Sequence, residues 1–255
     1  MRRKGKPGAL WHPGRAPPAG GLTIVAGPMT PSIASPRASF PLAFAIAALA
    51  FSSPDAEYAM RWEPADGGPQ SASEVAYLLG LGTPTVTTFE VRYYDAPPPA
   101  NAPDSARTIV RERARENGAS DLIVKYRRAA PLHGTWSCPL GTAAKRAAQV
   151  DVGFGPGDSV ERVYSYTCEL VADSFPPSLH ATPRACTIAV TRTTANGVKI
   201  EAWQLPNGRT LLEISRVAKD SRKELDKFRA MVDKLVVAGA RPTLASKTRL
   251  AGQCG

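Results

Sequence analysis

Histidine and cysteine are scarce in this chain: three His and four Cys among 255 residues. The histidines (His12, His133, His180) are scattered and no two cysteines stand in a CxxC spacing, which argues against a zinc site. No HExxH, no Gly-rich phosphate-cradling loop and no Ser/His/Asp arrangement occurs, so the common catalytic signatures are absent. The apolar run at residues 41–51 is too short for a permanent bilayer span. Acids are missing from residues 1–50, which hold six Arg or Lys. The formal charge of +10 therefore misleads, because the remaining residues carry 26 bases against 22 acids, or +4. A chain whose basicity lies largely in its leader is a poor nucleic-acid binder, since such proteins concentrate cations on the folded domain.

What stands at the amino terminus has the parts of an export signal: a basic start, the apolar run at 41–51, then small and polar residues through Ala56. We expect residues 1–56 to be a disordered leader and signal peptide, cleaved between Ala50 and Ala56, with Met29 an alternative start. That places the mature protein in the periplasm or outside the cell, with no permanent membrane span. All four cysteines lie beyond this point, and an even number in an exported chain suggests disulfides. Four cysteines allow three connectivities; the expected pairs are Cys168 with Cys186, which flank a Pro-rich excursion, and Cys138 with Cys254.

The rest of the chain is organised around three consecutive strands at 87–94, 107–115 and 121–128. Successive side chains in a strand point to opposite faces, so Arg111, Arg113 and Arg115 share one face, and Lys125 and Arg127 share one on the next strand. Like charges side by side destabilise a sheet unless an anion lies between them or the face is open to water. Both readings stand at this point.

Before these strands, a first strand at 57–62 is followed by a short helix opened by Ser71 and Glu74, a capping-box spacing. After them come a brief helix around 141–148 and strands at 149–154 and 162–170. Three more strands follow at 186–193, 198–205 and 210–216, with Asn-Gly pairs at Asn196-Gly197 and Asn207-Gly208 marking tight turns. Residues 220–237 form the one long helix, with Leu225, Phe228, Val232, Leu235 and Val236 at helical spacing. The tail, 240–255, has little periodicity. The domain thus spans 57–239. About eight strands in antiparallel hairpins with flanking helices predict an α+β fold with a closed barrel, because closure removes exposed edges.

The order of these parts resembles the CYTH superfamily of triphosphate tunnel enzymes. The resemblance rests on Val91-Arg92-Tyr93-Tyr94-Asp95-Ala96-Pro97, on Ile109-Val110-Arg111-Glu112-Arg113 and on Leu122-Ile123-Val124-Lys125-Tyr126-Arg127, with a weaker echo at 208–215. It implies an eight-stranded antiparallel CYTH-like tunnel in which Arg111, Arg113, Lys125 and Arg127 bind phosphate. It further implies Glu213 as a metal-facing carboxylate, with Mg or Mn as cofactor. The family's hallmark, an amino-terminal Glu-x-Glu-x-Lys strand, is not met: the segment from Glu57 to Arg61 offers one acid and one base at what reads as the wrong spacing.

Three functions remain open. The favoured one is an exported barrel that binds an anionic, phosphorylated small molecule without efficient catalysis. The others are a metal-dependent tri- or polyphosphate phosphohydrolase using Glu213, Glu90 and Glu112, and a structural or interaction module of the envelope. The last predicts a tunnel plugged by apolar side chains or internal Arg to Glu pairs.

Overall fold

The computed structural model describes residues 54–98, 102, 106–132, 136, 138, 140, 143–170 and 172–251. Residues 1–53 of the expected leader and Cys254 lie outside them, while Asp55 and Ala56 already belong to the first strand.

Nine strands close into a barrel. In chain order they are β1 (Asp55–Trp62), β2 (Thr85–Asp95), β3 (Arg107–Arg115), β4 (Ser120–Arg128), β5 (Ala143–Phe154), β6 (Val160–Leu170), β7 (Thr182–Ala195), β8 (Val198–Gln204) and β9 (Thr210–Lys219). Around the ring the order is β1-β5-β6-β4-β3-β2-β7-β8-β9, with β9 back against β1. The expected eight-stranded antiparallel barrel is corrected on both counts. A closed ring with an odd number of strands cannot alternate direction all the way round, so at least one neighbouring pair must run parallel. Here it is β1 with β5, from Asp55↔Gln149 to Met60↔Phe154.

The brief helix expected around 141–148 is instead the start of β5. Its register against β6 runs from Ala143↔Leu170 to Phe154↔Val160. Alanine-rich sequence favours helix locally, but a full ladder of cross-strand partners outweighs that weak preference. The Asn-Gly turns form where expected, with Gly197 and Gly208 at positive φ as tight hairpin turns require, and Gly118 of the Asn117-Gly118 pair between β3 and β4 does the same.

The main apolar core lies outside the barrel. Outward residues Tyr58, Met60 and Trp62 of β1, with Val150, Val152, Ile200 and Leu212, pack under α1 (Ala72–Leu78) and α2 (Arg222–Val237). From α2 come Phe228, Val232 and Leu235, which are buried, whereas Val236 is exposed. Both helices start on a serine cap: Ser71 accepts from the Glu74 N–H at 3.2 Å, and Ser221 from the Glu224 N–H at 3.3 Å. With these apolar faces turned outward, the alternate residues of the same strands must point into the barrel.

After α2 the chain turns at Gly239 and passes close over Gly67 and Gly68. A Cβ on Gly68 would lie 2.5 Å from the Ala240 Cα, so only glycine permits this approach. The tail, unreadable from periodicity, is then seated on the barrel. The Thr243 N–H donates to the Arg61 carbonyl at 2.8 Å, and Leu244 lies over Gly153 and Gly155. A short helix, α3 (Lys247–Ala251), sends Leu250 against an inner apolar cluster that includes Phe89, Tyr93, Val190, Trp203 and Leu211.

A disulfide joins Cys138 to Cys168, with Cα atoms 5.9 Å apart, which replaces the expected pairs Cys168–Cys186 and Cys138–Cys254. The ring order gives the reason. Cys168 is on β6 and Cys186 on β7, and β4, β3 and β2 stand between them. Four interstrand steps amount to roughly 19 Å along the barrel wall, beyond the reach of about 7 Å for a disulfide.

Candidate functional site

Alternation around the barrel brings the expected cations to one place. Arg111 and Arg113 of β3 and Lys125 and Arg127 of β4 all face a cavity of about 230 Å³ inside the barrel, and Glu213 of β9 lies on its opposite wall. Arg115, on the same face of β3, sits at the strand end with an exposed side chain and is paired with Asp121. Glu90 and Glu112 point to the outer face: with Arg92 they line a separate shallow groove, and Glu112 accepts from the Tyr94 hydroxyl at 2.8 Å.

Further cations join from elements that carried no such expectation: Arg61 of β1, Lys145 of β5, Arg192 of β7, Lys199 of β8 and Lys247 of α3. Nine cationic side chains thus line the cavity against four carboxylates, Glu57, Glu169, Glu201 and Glu213. Counting also Asp151, which pairs with Lys125 and Arg127, the cations are in excess by four. Period-two alternation held a signal for two of the missed residues: Lys199, Glu201 and Trp203 share one face of β8, and Arg192 shares one with Val190 on β7. Nothing in the tail marked Lys247.

The charges divide into a satisfied half and an unsatisfied half. Asp151 accepts from Lys125 Nζ at 3.2 Å, Arg127 Nε at 3.0 Å, Ser165 Oγ at 2.6 Å and Gln149 Nε2 at 2.9 Å. Burial alone would raise the Asp151 carboxyl, but Lys125, Arg127 and these hydrogen bonds outweigh it and hold the group below the usual carboxylate range. Asp151 is therefore the partner of the β4 cations. Burial pulls the Lys125 ammonium down, and the attraction of Asp151 only partly offsets it.

Glu201 and Glu213 face each other directly across β8 and β9. Arg192 donates to Glu201 Oε1 at 2.6–2.8 Å and Arg61 donates to Glu213 Oε2. Between the two carboxylates lies Lys247, whose Nζ is 2.8 Å from Glu201 Oε2 and 2.7 Å from Glu213 Oε1. The Trp203 indole N–H donates to Glu201 as well, at 3.0 Å. Burial would lift the Glu201 carboxyl, yet Lys247 and Arg192 overcome it and hold the group low. The same pair of carboxylates raises the Lys247 ammonium against the opposing effect of burial.

Arg111 and Arg113 lie on the unsatisfied side. Among the described residues neither forms a salt bridge, and the Nε of each is buried without a hydrogen-bond partner. Burial, with Arg111 and Arg192 nearby, brings the Arg113 guanidinium down to about 10. Its Cζ lies 4.8 Å from the Phe89 ring centroid, as does that of Arg192, which is modest compensation for a half-buried charge.

The β1 strand reads differently in three dimensions. Glu57 and Arg61 are four residues apart and both face the cavity, with Ala59 on the same face between them. Against the Glu-x-Glu-x-Lys pattern, the spacing of the outer acid and base is kept, which corrects the sequence reading, and it is the middle acid that is missing.

The donor set does not fit a divalent cation. Glu213 has both oxygens engaged by cations of the chain itself, Ala59 offers no side-chain oxygen, and no group of three or more His, Cys, Asp or Glu is placed to hold a metal among the described residues. Also among these residues, no helix is long and apolar enough to cross a membrane.

No family model matches the chain, and no curated protein matches it. Solved structures with a similar course include the PH1819 protein of Pyrococcus horikoshii, at 14% identity and a TM-score of 0.44, covering 76% of this chain and 97% of that one. The PH1012 protein of the same organism gives 12% identity and a TM-score of 0.42, covering 76% and 98%. A Vibrio parahaemolyticus protein, provisionally an adenylate cyclase, gives 11% identity and a TM-score of 0.43, covering 77% and 97%. Likenesses this distant leave the cavity's own residues as the basis for any functional reading.

Proposed function

We propose that the barrel binds a compact, multiply charged anion of the phosphate class in its cavity and does not turn it over efficiently. The observation that carries this reading is the pair of half-buried guanidinium groups of Arg111 and Arg113, each with a buried Nε that meets no hydrogen-bond partner and with no salt bridge among the described residues, facing an open volume rather than a carboxylate. Leaving a buried charged donor without a partner costs more than an ordinary lost hydrogen bond, and an arginine fork is shaped to give two parallel bonds to phosphate oxygens. Lys125 and Arg127 line the same space and complete a cationic wall. The size favours a small guest, because about 230 Å³ lies below the roughly 300–1,000 Å³ of sites for drug-sized ligands. Pyrophosphate or tripolyphosphate suits it better than a nucleotide. The cations are turned inward, out of reach of a nucleic-acid duplex.

The resemblance to CYTH tunnels agrees with this reading, and the departures speak for binding over catalysis. The middle position of the β1 motif is Ala59, and Glu213 is neutralised by Arg61 and Lys247. Transfer of a phosphoryl group depends on metal and electrostatic placement, which these substitutions remove. The envelope-scaffold alternative is met halfway by the internal pairs Arg61–Glu213 and Arg192–Glu201, but the remaining open volume beside Arg111 and Arg113 favours a ligand.

In a thermal-shift titration, tripolyphosphate and pyrophosphate should raise the melting temperature, and Arg113→Ala or Lys125→Ala should each weaken binding by roughly ten-fold or more. Indifference of the protein to every polyanion would reject the proposal.

Export is part of the same reading, supported by the signal-like leader and the Cys138–Cys168 disulfide. Asp55 opens β1 and pairs with Lys219 at 2.8 Å, so cleavage is expected to leave Asp55 in the mature chain. Intact-mass measurement of the protein from its native host checks this; a mature chain beginning beyond Asp55, or one that retains the leader, would contradict it.

A further inference from the structure

We propose that Lys247 is a built-in counter-ion standing where a divalent cation would otherwise be needed, so that the cavity takes its anion in the metal-free form. The second part rests on the anion-binding reading above; the first stands without it.

Glu201 and Glu213 are nearly inaccessible, at 3% and 2% exposure, and they are direct cross-strand neighbours. Two carboxylates so placed repel each other unless a cation lies between them. The strands themselves supply one cation to each, Arg192 to Glu201 Oε1 and Arg61 to Glu213 Oε2, which leaves Glu201 Oε2 and Glu213 Oε1 facing a shared slot. Lys247 fills that slot, within 2.8 Å of both oxygens, and its ammonium also lies 4.5 Å from the Trp203 ring. The lysine does not belong to a barrel strand. It is delivered by the tail, which is anchored by the Thr243 bond to β1, by Leu244 over Gly155 and by Leu250 on the inner apolar cluster. The slot between the two carboxylates is thus filled only with the chain's own tail inside the barrel.

Magnesium seeks carboxylate and phosphate oxygens in octahedral array. Here the two best-placed carboxylates are taken, and the wall opposite is already in cationic excess. A polyphosphate complexed with magnesium has lost part of the charge that this wall would recognise. Magnesium should therefore compete with the protein for the anion.

Two measurements on the full chain decide the matter. In the first, without any anion, Mn2+ uptake is followed by electron paramagnetic resonance. Wild type should sequester none in the barrel. Lys247→Met, which keeps the apolar stem, should bind one Mn2+ per chain at least about ten-fold more tightly than wild type, and Lys247→Met with Glu213→Gln should lose that site. Mn2+ binding by wild type that Glu213→Gln abolishes would overturn the proposal. So would a Lys247→Met protein with native near-ultraviolet circular dichroism that takes up no Mn2+. Should Lys247→Met fail to fold, the wild-type and Glu213→Gln titrations alone still decide. In the second measurement, calorimetric pyrophosphate affinity should fall several-fold for wild type on adding Mg2+, and a rise would refute the metal-free form. Absence of any pyrophosphate binding would refute the anion reading and with it the metal-free form, while the Mn2+ result on Lys247 would still hold.

Discussion

Replacing Arg113 with methionine is expected to stabilise the ligand-free protein while removing most of its affinity for tripolyphosphate. The two effects have one cause. In the folded chain burial and the neighbouring Arg111 and Arg192 bring the guanidinium down to about 10, below its ordinary value of 12.5. A base whose folded value lies below its unfolded value makes its most favourable contribution above the unfolded value and loses it as the pH falls through the folded one. At neutral pH, where Arg113 is fully charged in both states, it is therefore a net cost, of up to about 3 kcal/mol. Methionine keeps the apolar stem beside Phe89 and removes the charge. Urea denaturation at neutral pH should show a higher midpoint than wild type. Calorimetric titration should show the dissociation constant for tripolyphosphate rising roughly ten- to hundred-fold, in line with losing one or two charge-assisted hydrogen bonds. A variant less stable than wild type, with unchanged affinity, would mean that Arg113 is a structural residue with an unseen partner and not a ligand group. Most cavity substitutions destabilise, so the inverted sign is the informative part.

Alternation on β3 and β4 was enough to put Arg111 with Arg113 on one face and Lys125 with Arg127 on one face, because a two-residue period fixes which side chains share a face, but that these faces line the interior follows only from closure of the barrel. The Asn-Gly hairpins and the long capped helix were legible for the same local reason. What could not be read depends on which strands become neighbours. The parallel contact of β1 and β5, the Cys138–Cys168 disulfide and the β5 strand itself are set by ring closure, and nothing local encodes it. Lys247 is the sharpest case. It sits in a tail without periodicity, one of 32 Lys and Arg, and its role depends on a carboxylate pair that exists only once β8 and β9 are aligned. The Glu57 and Arg61 spacing is itself legible, since residues four apart on a strand share a face, but Ala59 between them hides the pattern.

Asp151 offers the largest expected loss of stability. Replaced by asparagine, it would leave Lys125 Nζ and the Arg127 guanidinium, now 2.9 and 2.8 Å from Oδ2, buried or half-buried without a counter-charge. Breaking a buried ion pair from one side costs about 3–5 kcal/mol, and here one carboxylate serves two cations. The same charge explains the expected acid response of the wild type. The folded Asp151 and Glu201 carboxyls are held below their ordinary values by Lys125 and Arg127 and by Lys247 and Arg192, in each case against burial. Groups depressed on folding contribute stability that is complete above the unfolded carboxylate values of about 4 and is lost as the pH falls below them toward the folded values. Melting temperature should accordingly drop steeply below about pH 4 in wild type, and less steeply in Asp151→Asn, whose midpoint is already low. Tripolyphosphate should rescue the variant, raising its melting temperature by more than it raises that of wild type, because the anion then supplies the charge that Lys125 and Arg127 have lost. A variant as stable as wild type, or one that the anion leaves unmoved, would show that these two cations do not depend on a negative neighbour, and the anion site would then rest on Arg111 and Arg113 alone.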